Sequence, residues 1–290
     1  MKRTRLRLTS LAGACLFFGS LVGACTSLGS VPDGTSVSYG WTNHGRIVDA
    51  VELPVRGDGY FVPPAWAARG LNWGTEELVG LLVRAGRRLA AEEVGAPLLI
   101  ADLSPRAGGP SSWHKSHQAG RDADVLFFAV DAEGRPAPPP AGMVPFDDAG
   151  DCADGRHFDV ARNWQLVRAL IEDPAVDVQY LFISTGLRQK LLDYAEEQGE
   201  AADLVERASA VLLQPSDAPP HDDHLHVRIY CPLSDRTMGC RERGPYRWYK
   251  KGYKYAVERL PSMTALATVA RSTCVAPFCQ LLARRLLAYL

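Results

Sequence analysis

Apolar residues recur with the period of an α-helix in several segments of the chain. The clearest is 75–93, in which Thr75 can cap the first turn and Gly95 follows the last one. Its apolar positions lie three or four residues apart, at Leu78, Leu81, Leu82, Ala85 and Leu89. The same spacing predicts helices at 159–172, 186–198 and 201–213.

Continuous or alternating apolar runs lie between these helices and predict four core strands: 97–103, 122–130, 176–184 and 224–230. Residues 31–72, apart from short extended runs, and the proline-rich stretch 131–154 have neither period and are predicted to be loops. Strands interleaved with helices indicate an α+β fold, with a small and mostly antiparallel sheet flanked by helices and long loops. We expect this domain to span residues 40–260.

The first 24 residues have the composition of an export signal. Basic residues precede an apolar stretch that is too short and too interrupted to make a good transmembrane span. The signal ends at 22–25 (VGAC), which resembles a bacterial lipobox, so we expect acylation of Cys25; a plain signal peptide is the alternative. Residues 25–39 would then form a tether and 261–290 a C-terminal tail with a docking helix. These features predict a periplasmic lipoprotein that contacts the outer membrane only through the lipid on Cys25.

Composition and charge limit the functional classes to which this protein can belong. The chain has 290 residues, of which 47% are apolar and 22% charged, and this is typical of a globular protein. The formal net charge is −1, although the export signal contributes four basic residues and no acidic one. The remaining chain is therefore acidic, which argues against nucleic-acid binding.

The seven cysteines suit an oxidising compartment. Cys15 would leave with the signal and Cys25 would carry the lipid, so five remain. Two local bridges are the simplest pairing, Cys231 with Cys240 and Cys274 with Cys279, and Cys152 is left over. The sequence alone does not fix this connectivity.

Five of the seven histidines fall in two short windows: His114 and His117 in the first, and His221, His224 and His226 in the second. Asp124 follows His117 on the predicted strand 122–130, so the two side chains can converge. His224 and His226 are two residues apart on another strand and therefore share a face. The two windows together supply the imidazoles and the carboxylate of a catalytic zinc site, which uses three protein ligands and keeps a position open for water.

These windows also carry a resemblance to a known family. The segments 111–125 (SSWHKSHQAGRDADV) and 221–232 (HDDHLHVRIYCP) resemble the signature segments of the penicillin-insensitive murein endopeptidases, which are zinc peptidases related to lysostaphin-type endopeptidases, D-Ala-D-Ala carboxypeptidases and the hedgehog domain. The similarity extends over residues 40–240 and includes 45–54 (GRIVDAVELP) and 163–170 (NWQLVRAL).

The resemblance implies roles for individual residues. His117, Asp124 and His226 would be the zinc ligands, His224 would lie beside the metal-bound water, and His221 would be a further essential histidine. Asp223 stands where the carboxypeptidase relatives have a glutamate base, so it is either the base or the partner that orients an imidazole. A further set resembles positions associated with an additional metal: His114, Asp154 and His157. For His157, an ordinary capping or packing role near the helix at 159 is the alternative.

The expected function is hydrolysis of peptide cross-links in peptidoglycan, at the D-alanyl–diaminopimelate bond as the resemblance implies. Zn²⁺ would activate a water molecule for attack on the amide carbonyl. Two alternatives are a D,D-carboxypeptidase and a zinc-containing wall-binding module that has lost catalysis.

Overall fold

The computed structural model describes residues 34–92 and 94–245. The predicted signal peptide, the acylation site Cys25, the pair Cys274 and Cys279, and the C-terminal tail lie outside these residues. The described helices are α1 (Pro64–Ala67), α2 (Glu76–Ala91), α3 (Val160–Ile171), α4 (Thr185–Glu197), α5 (Ala202–Val211) and α6 (Leu233–Met238).

Short strands connect and flank these helices. They are β1 (Val37–Trp41), β2 (His44–Val48), β3 (Val51–Glu52), β4 (Arg56–Gly57), β5 (Tyr60–Phe61), β6 (Trp73–Gly74), β7 (Leu98–Leu99), β8 (Asp122–Leu126), β9 (Ala129–Val130), β10 (His157–Phe158), β11 (Val178–Phe182), β12 (Leu212–Leu213) and β13 (His224–Ile229). The predicted α+β class is therefore confirmed.

A four-stranded sheet in the order β12–β11–β13–β8 forms the centre of the fold. Strand β13 runs antiparallel to both of its neighbours, and β12 adds a parallel edge to β11. Because side chains alternate between the two faces of a strand, β8 and β13 each present one apolar and one polar face. The apolar face is buried in the core, through Ala123, Val125, Leu225 and Val227.

The helices cover this core with their apolar stripes. Thr75 caps α2 by accepting a hydrogen bond from the backbone N–H of Leu78, and Asp159 caps α3 by accepting one from Arg162. Leu81 of α2 and Trp164 of α3 belong to the same core cluster as the buried sheet residues. Within residues 34–92 and 94–245, no helix is both long enough and apolar enough to cross a bilayer.

Most predicted elements are confirmed within one or two residues, but two predicted strands are shorter than expected. The strand predicted at 122–130 breaks at Phe128, because the backbone N–H and C=O of this residue bond to the side-chain amide of Asn163 on α3. The strand predicted at 97–103 is paired only at β7. Its later backbone N–H groups bond to different segments, such as that of Ala101 to Asp124 and that of Leu103 to Leu71.

Other differences lie at an edge of the sheet and in the N-terminal part of the domain. The helix predicted at 201–213 ends at Val211, and the next two residues form β12 beside β11. The stretch 31–72, which was predicted to be rich in loops, contains a β-hairpin of β1 and β2. Helix α6 is too short to show a hydrophobic period, and the sequence did not predict it.

A disulfide joins Cys231 and Cys240 across α6, and Cys152 is buried and free. Both features agree with the predicted pairing. The bridge places Cys240 beside β1, where Gly40 donates a backbone hydrogen bond to Gly239. The end of β13 is thereby connected to the N-terminal hairpin.

Candidate metal site

The polar face of the central sheet gathers the chemistry-bearing residues of two strands. On β13 this face carries His224, His226 and Arg228, and on β8 it carries Asp122 and Asp124. The antiparallel register places His226 opposite Asp124 and Arg228 opposite Asp122. Two acidic and three basic side chains therefore lie on one face of the sheet.

Asp124 is the centre of this cluster. Its Oδ1 atom lies 3.2 Å from Nε2 of His117, 3.2 Å from Nδ1 of His226 and 3.3 Å from Nε2 of His224. Burial alone would raise the pKa of Asp124, but the neighbouring imidazoles, His117 first, hold it well below its usual value. The carboxylate is therefore ionised and surrounded by nitrogen atoms.

These short distances do not correspond to hydrogen bonds. Nε2 of His117 and both carboxylate oxygens of Asp124 are buried and have no hydrogen-bond partner of acceptable geometry. Buried polar atoms without partners are costly, because they have lost their water contacts without replacement. Nitrogen and oxygen atoms that converge without hydrogen-bonding one another are the arrangement expected of the ligands of a cation. These residues therefore fit a metal ion.

The loop before β8 prepares His117 for such a role. Nδ1 of its ring lies 2.8 Å from the carbonyl oxygen of Leu103, which fixes the proton on Nδ1 and leaves Nε2 free to face Asp124. The backbone of His117 has a φ of +63°, a left-handed conformation that is rare for residues other than glycine. Its backbone N–H donates to Oδ2 of Asp122 at 3.3 Å, which helps to hold this conformation.

Asp122 connects His226 to Arg228. Its Oδ1 atom lies 3.0 Å from Nε2 of His226 and 2.5 Å from Nε of Arg228. Although burial favours the neutral acid, Arg228 and then His226 hold the pKa of Asp122 well below its usual value. The ionised carboxylate orients the ring of His226 so that Nδ1 faces Asp124.

His224 has a carboxylate on each side. Nδ1 lies 2.5 Å from Oδ1 of Asp223, and Nε2 faces Asp124. Burial lowers the pKa of His224, but the nearby charges of Asp124 and Asp223 and the hydrogen bond to Asp223 outweigh it and raise this pKa to about 10. Asp223 is thus placed to orient the imidazole of His224.

His221 borders the same cluster. Its ring lies 5.3 Å from that of His224 and 5.6 Å from that of His226, measured between centroids. Burial lowers the pKa of His221 to about 4, and the neighbouring His226 and His224 add to the shift. His221 is therefore a neutral imidazole at physiological pH.

His114 belongs to the cluster through a different route. Its ring stacks on that of His117 with 4.2 Å between centroids, and Nδ1 lies 3.6 Å from Oδ2 of Asp124. Nε2 lies 2.8 Å from the fully buried Asp102, whose carboxylate also accepts a 2.6 Å hydrogen bond from Arg69. Asp102 and Arg69 therefore support the site. The one sequence signal for this pair is that the acidic Asp102 lies at the end of a buried apolar run.

The described residues contain two groups that could hold a metal ion: His221 with His224 and His226, and His114 with His117 and Asp124. Asp124 bridges the two groups through the distances given above. Asp154 and His157, predicted from the resemblance, belong to neither group. Both are exposed, and they pair instead with Arg156 and with Asp151. The structure brings the other predicted site residues together and places these two elsewhere, Asp154 in the turn before β10 and His157 at the start of β10.

The cluster opens into a cleft of about 650 Å³. Its lining includes Trp41 with the hairpin turn that follows it, and the proline-rich segment 215–220. Arginines 228, 241 and 243 also line the cleft. The cleft is large enough for several residues of a peptide.

Sequence comparison links the chain to a known family. The sequence model of the penicillin-insensitive murein endopeptidase family matches residues 38–253, which include the whole cluster. The chain belongs to this family. Similar proteins bear the same name: one from Haemophilus influenzae is 27% identical over 223 residues, covering 73% of this chain and 69% of that protein. Another, from Klebsiella pneumoniae, is 26% identical and covers 84% and 83% of the two chains.

The region matched by the murein endopeptidase family model covers both histidine windows and the helices and strands between them. A protein of the same name from Salmonella heidelberg is 28% identical over 218 residues. The resemblance predicted from the signature segments is thereby confirmed. The roles of the individual residues remain predictions.

Proposed function

We propose that this protein is a zinc metallopeptidase that hydrolyses the D-alanyl–diaminopimelate cross-links of peptidoglycan. The observation that carries the proposal is the convergence of His117 Nε2 and His226 Nδ1 on Asp124, at 3.2 Å each, without hydrogen bonds of acceptable geometry. The family match and the names of the relatives support the choice of substrate.

His117, Asp124 and His226 would hold the ion. Two imidazoles and one carboxylate are a usual ligand set for catalytic zinc, with a further position open to the cleft. When bound, Zn²⁺ supplies Lewis acidity, which polarises the scissile carbonyl and acidifies a water molecule. Asp122 and the carbonyl oxygen of Leu103 keep the two imidazoles in the tautomers that this role needs.

His224 would move the proton. It lies on the same strand face as His226, and its Nε2 atom points to Asp124 and so to the proposed ion. A cation held by Asp124 would neutralise one of the charges that raise the pKa of His224, so Nε2 would be able to accept a proton from the attacking water and deliver it to the leaving amine. Asp223 would orient the ring through Nδ1 and stabilise its protonated form. This geometry supports the orienting role for Asp223 over the role of base.

The neutral His221 would border the substrate. Its ring lies 5.6 Å from that of Phe182, and its Nδ1 atom is buried without a hydrogen-bond partner. The side chain of His221 also lines the cleft. His221 would thus be a binding residue.

We also propose that the protein acts in the periplasm as a lipoprotein anchored at Cys25, with residues 40–260 as the catalytic domain. The substrate supports this location, because peptidoglycan lies outside the cytoplasmic membrane. Neither Cys25 nor the tail lies among the described residues.

Digestion of purified muropeptide dimers by the soluble 26–290 form, followed by mass spectrometry, tests the proposed reaction. Monomers are the expected products. Loss of a terminal D-alanine from monomers would instead identify a carboxypeptidase, and unchanged dimers would identify a wall-binding module.

Metal analysis after dialysis tests the proposed ligands. We expect about one zinc per chain in the wild type and none in His117→Ala. His157→Ala is the matched control, because His157 is exposed and pairs with Asp151, and we expect it to retain zinc. Retention of zinc in His117→Ala would contradict the ligand assignment.

A further inference from the structure

Two arginines, Arg228 on β13 and Arg121 bonded to the backbone of β13, differ in how their donors are used. Arg121 is almost fully buried, and each of its nitrogen atoms donates to a protein oxygen, on Ser38, Ile229 and Arg241. Arg228 uses only Nε, which donates to Asp122. Among the described residues, no hydrogen-bond acceptor is found for its two terminal nitrogens. Arg121 therefore has a structural role, whereas Arg228 keeps donors for a ligand.

The free end of Arg228 is held in place. Its guanidinium lies 5.1 Å from the centre of the Phe182 ring, and its side chain is only 18% exposed. Arg228 and His226 share the same oxygen of Asp122, at 2.5 Å and 3.0 Å, so Nε of Arg228 lies at most about 5.5 Å from Nε2 of His226. The guanidinium is thus fixed next to the proposed reaction centre.

The charges around Arg228 favour an anion. Arg241 and Arg243 line the same cleft. Three acidic residues also line it: Asp223 is paired with His224 and Glu242 with Arg236, whereas Asp217 has no ion pair among the described residues. A guanidinium with two free terminal nitrogens binds a carboxylate through parallel hydrogen bonds.

We infer that Arg228 binds a free carboxylate of the substrate, on the carbon that bears the scissile amide nitrogen. This inference rests on the proposed function and deepens it. In a D-alanyl–diaminopimelate linkage that carbon bears a carboxylate, two bonds from the nitrogen, within reach of a group anchored beside His226. Arg228 is therefore a specificity-determining residue that recognises the acidic leaving group.

The test compares two synthetic substrates, one with this carboxylate free and one with it converted to a carboxamide. A hydrogen-bonded charge pair in a partly buried site corresponds to a preference of about 10- to 100-fold, so we expect wild-type kcat/KM to favour the carboxylate by this factor. Arg228→Gln should reduce the preference to about one, because any loss of activity through the disturbed Asp122–His226 pair lowers kcat/KM for both substrates equally. Arg228→Lys, which keeps the charge beside Asp122 but loses the planar fork, should retain part of it.

Arg241→Gln is the matched control, because Arg241 lines the same cleft without a side-chain contact to Asp122, and it should keep the wild-type preference. Equal cleavage of both substrates by the wild type would overturn the inference. So would equal losses on both substrates in Arg228→Gln and Arg228→Lys, which would indicate a purely structural role. The inference would also be refuted if kcat/KM changed only when a carboxylate on the acyl side of the scissile amide was amidated.

Binding separates this inference from the proposed function. Calorimetry with uncleavable analogues of the two substrates should give tighter binding of the carboxylate to the wild type, and this difference should vanish in Arg228→Gln. Failure of the wild type to cleave either substrate would refute the proposed reaction, whereas equal binding of both analogues would refute the role of Arg228. Zinc content, measured on the same samples, should be equal in the wild type and Arg228→Lys.

Discussion

Replacing His224 by alanine separates proton transfer from metal binding. His224 and His226 share a strand face, and both contact Asp124, but only His226 has its second nitrogen bonded to the fully buried Asp122. The partner of His224 is Asp223, whose side chain is 25% exposed. We therefore expect His224→Ala to retain zinc and to lose most of its turnover, and His226→Ala to lose both.

The magnitude follows from the proposed role. A positioned general acid or base contributes about 10²- to 10⁴-fold, which corresponds to about 2.7 to 5.4 kcal/mol in activation free energy. The Asp223→Asn variant keeps the imidazole but weakens its orientation, because the amide is neutral, so it should lose about 10- to 100-fold. We therefore expect kcat to be highest in the wild type, lower in Asp223→Asn and lowest in His224→Ala.

Two measurements check this order. Release of muropeptide monomers gives kcat and KM, and metal analysis of the same samples gives zinc per chain. Loss of zinc in His224→Ala would show that His224 is a ligand. If Asp223→Asn were inactive while His224→Ala remained active, the carboxylate would be the base and the assigned roles would be reversed.

Three further predictions concern the metal, the anchor and the disulfide. Activity should disappear with a chelator, return with zinc and persist with penicillin, because the proposed site uses no serine nucleophile; inhibition of cleavage by penicillin in a muropeptide assay would contradict this. Cys25→Ala should move the protein from the membrane pellet to the soluble periplasmic fraction with its kcat intact, and continued sedimentation of the variant would argue against the lipid anchor. Cys231→Ser with Cys240→Ser should lower the free energy of unfolding by about 2 to 4 kcal/mol, because the bridge closes a short loop in the unfolded chain; urea denaturation measures this, and an unchanged midpoint would refute it.

The sequence predicted the parts of the fold that depend on local pattern. Helix α2 begins and ends within two residues of its prediction, because its cap and its apolar period lie in the same segment. Strand β12 was missed because its partner is distant along the chain, whereas the hairpin of β1 and β2 was missed because Gly40 and Gly45 interrupt its short apolar runs. Pairing with β11 converts the end of a helical pattern into a strand.

The same distinction applies to the candidate site. The histidine windows and Asp124 were visible, because several residues of unusual chemistry are close together in the sequence. Asp102 and Arg69 were not visible, because these two residues, whose ion pair supports His114, are 33 residues apart in the sequence. The pairing of Asp122 with His226 and Arg228 spans more than 100 residues, and only the register of β8 against β13 reveals it.

That register has an evolutionary consequence. Asp122 and Asp124 on β8 alternate with core residues, as do His226 and Arg228 on β13. Inserting or deleting one residue within either strand would exchange the two faces, placing the charges against the apolar core and turning Val125 and Val227 away from it. A protein with such an insertion or deletion would lose both its fold and its candidate metal site. Length changes should therefore be absent from these two strands among functional descendants and should accumulate in the exposed proline-rich stretch 131–145.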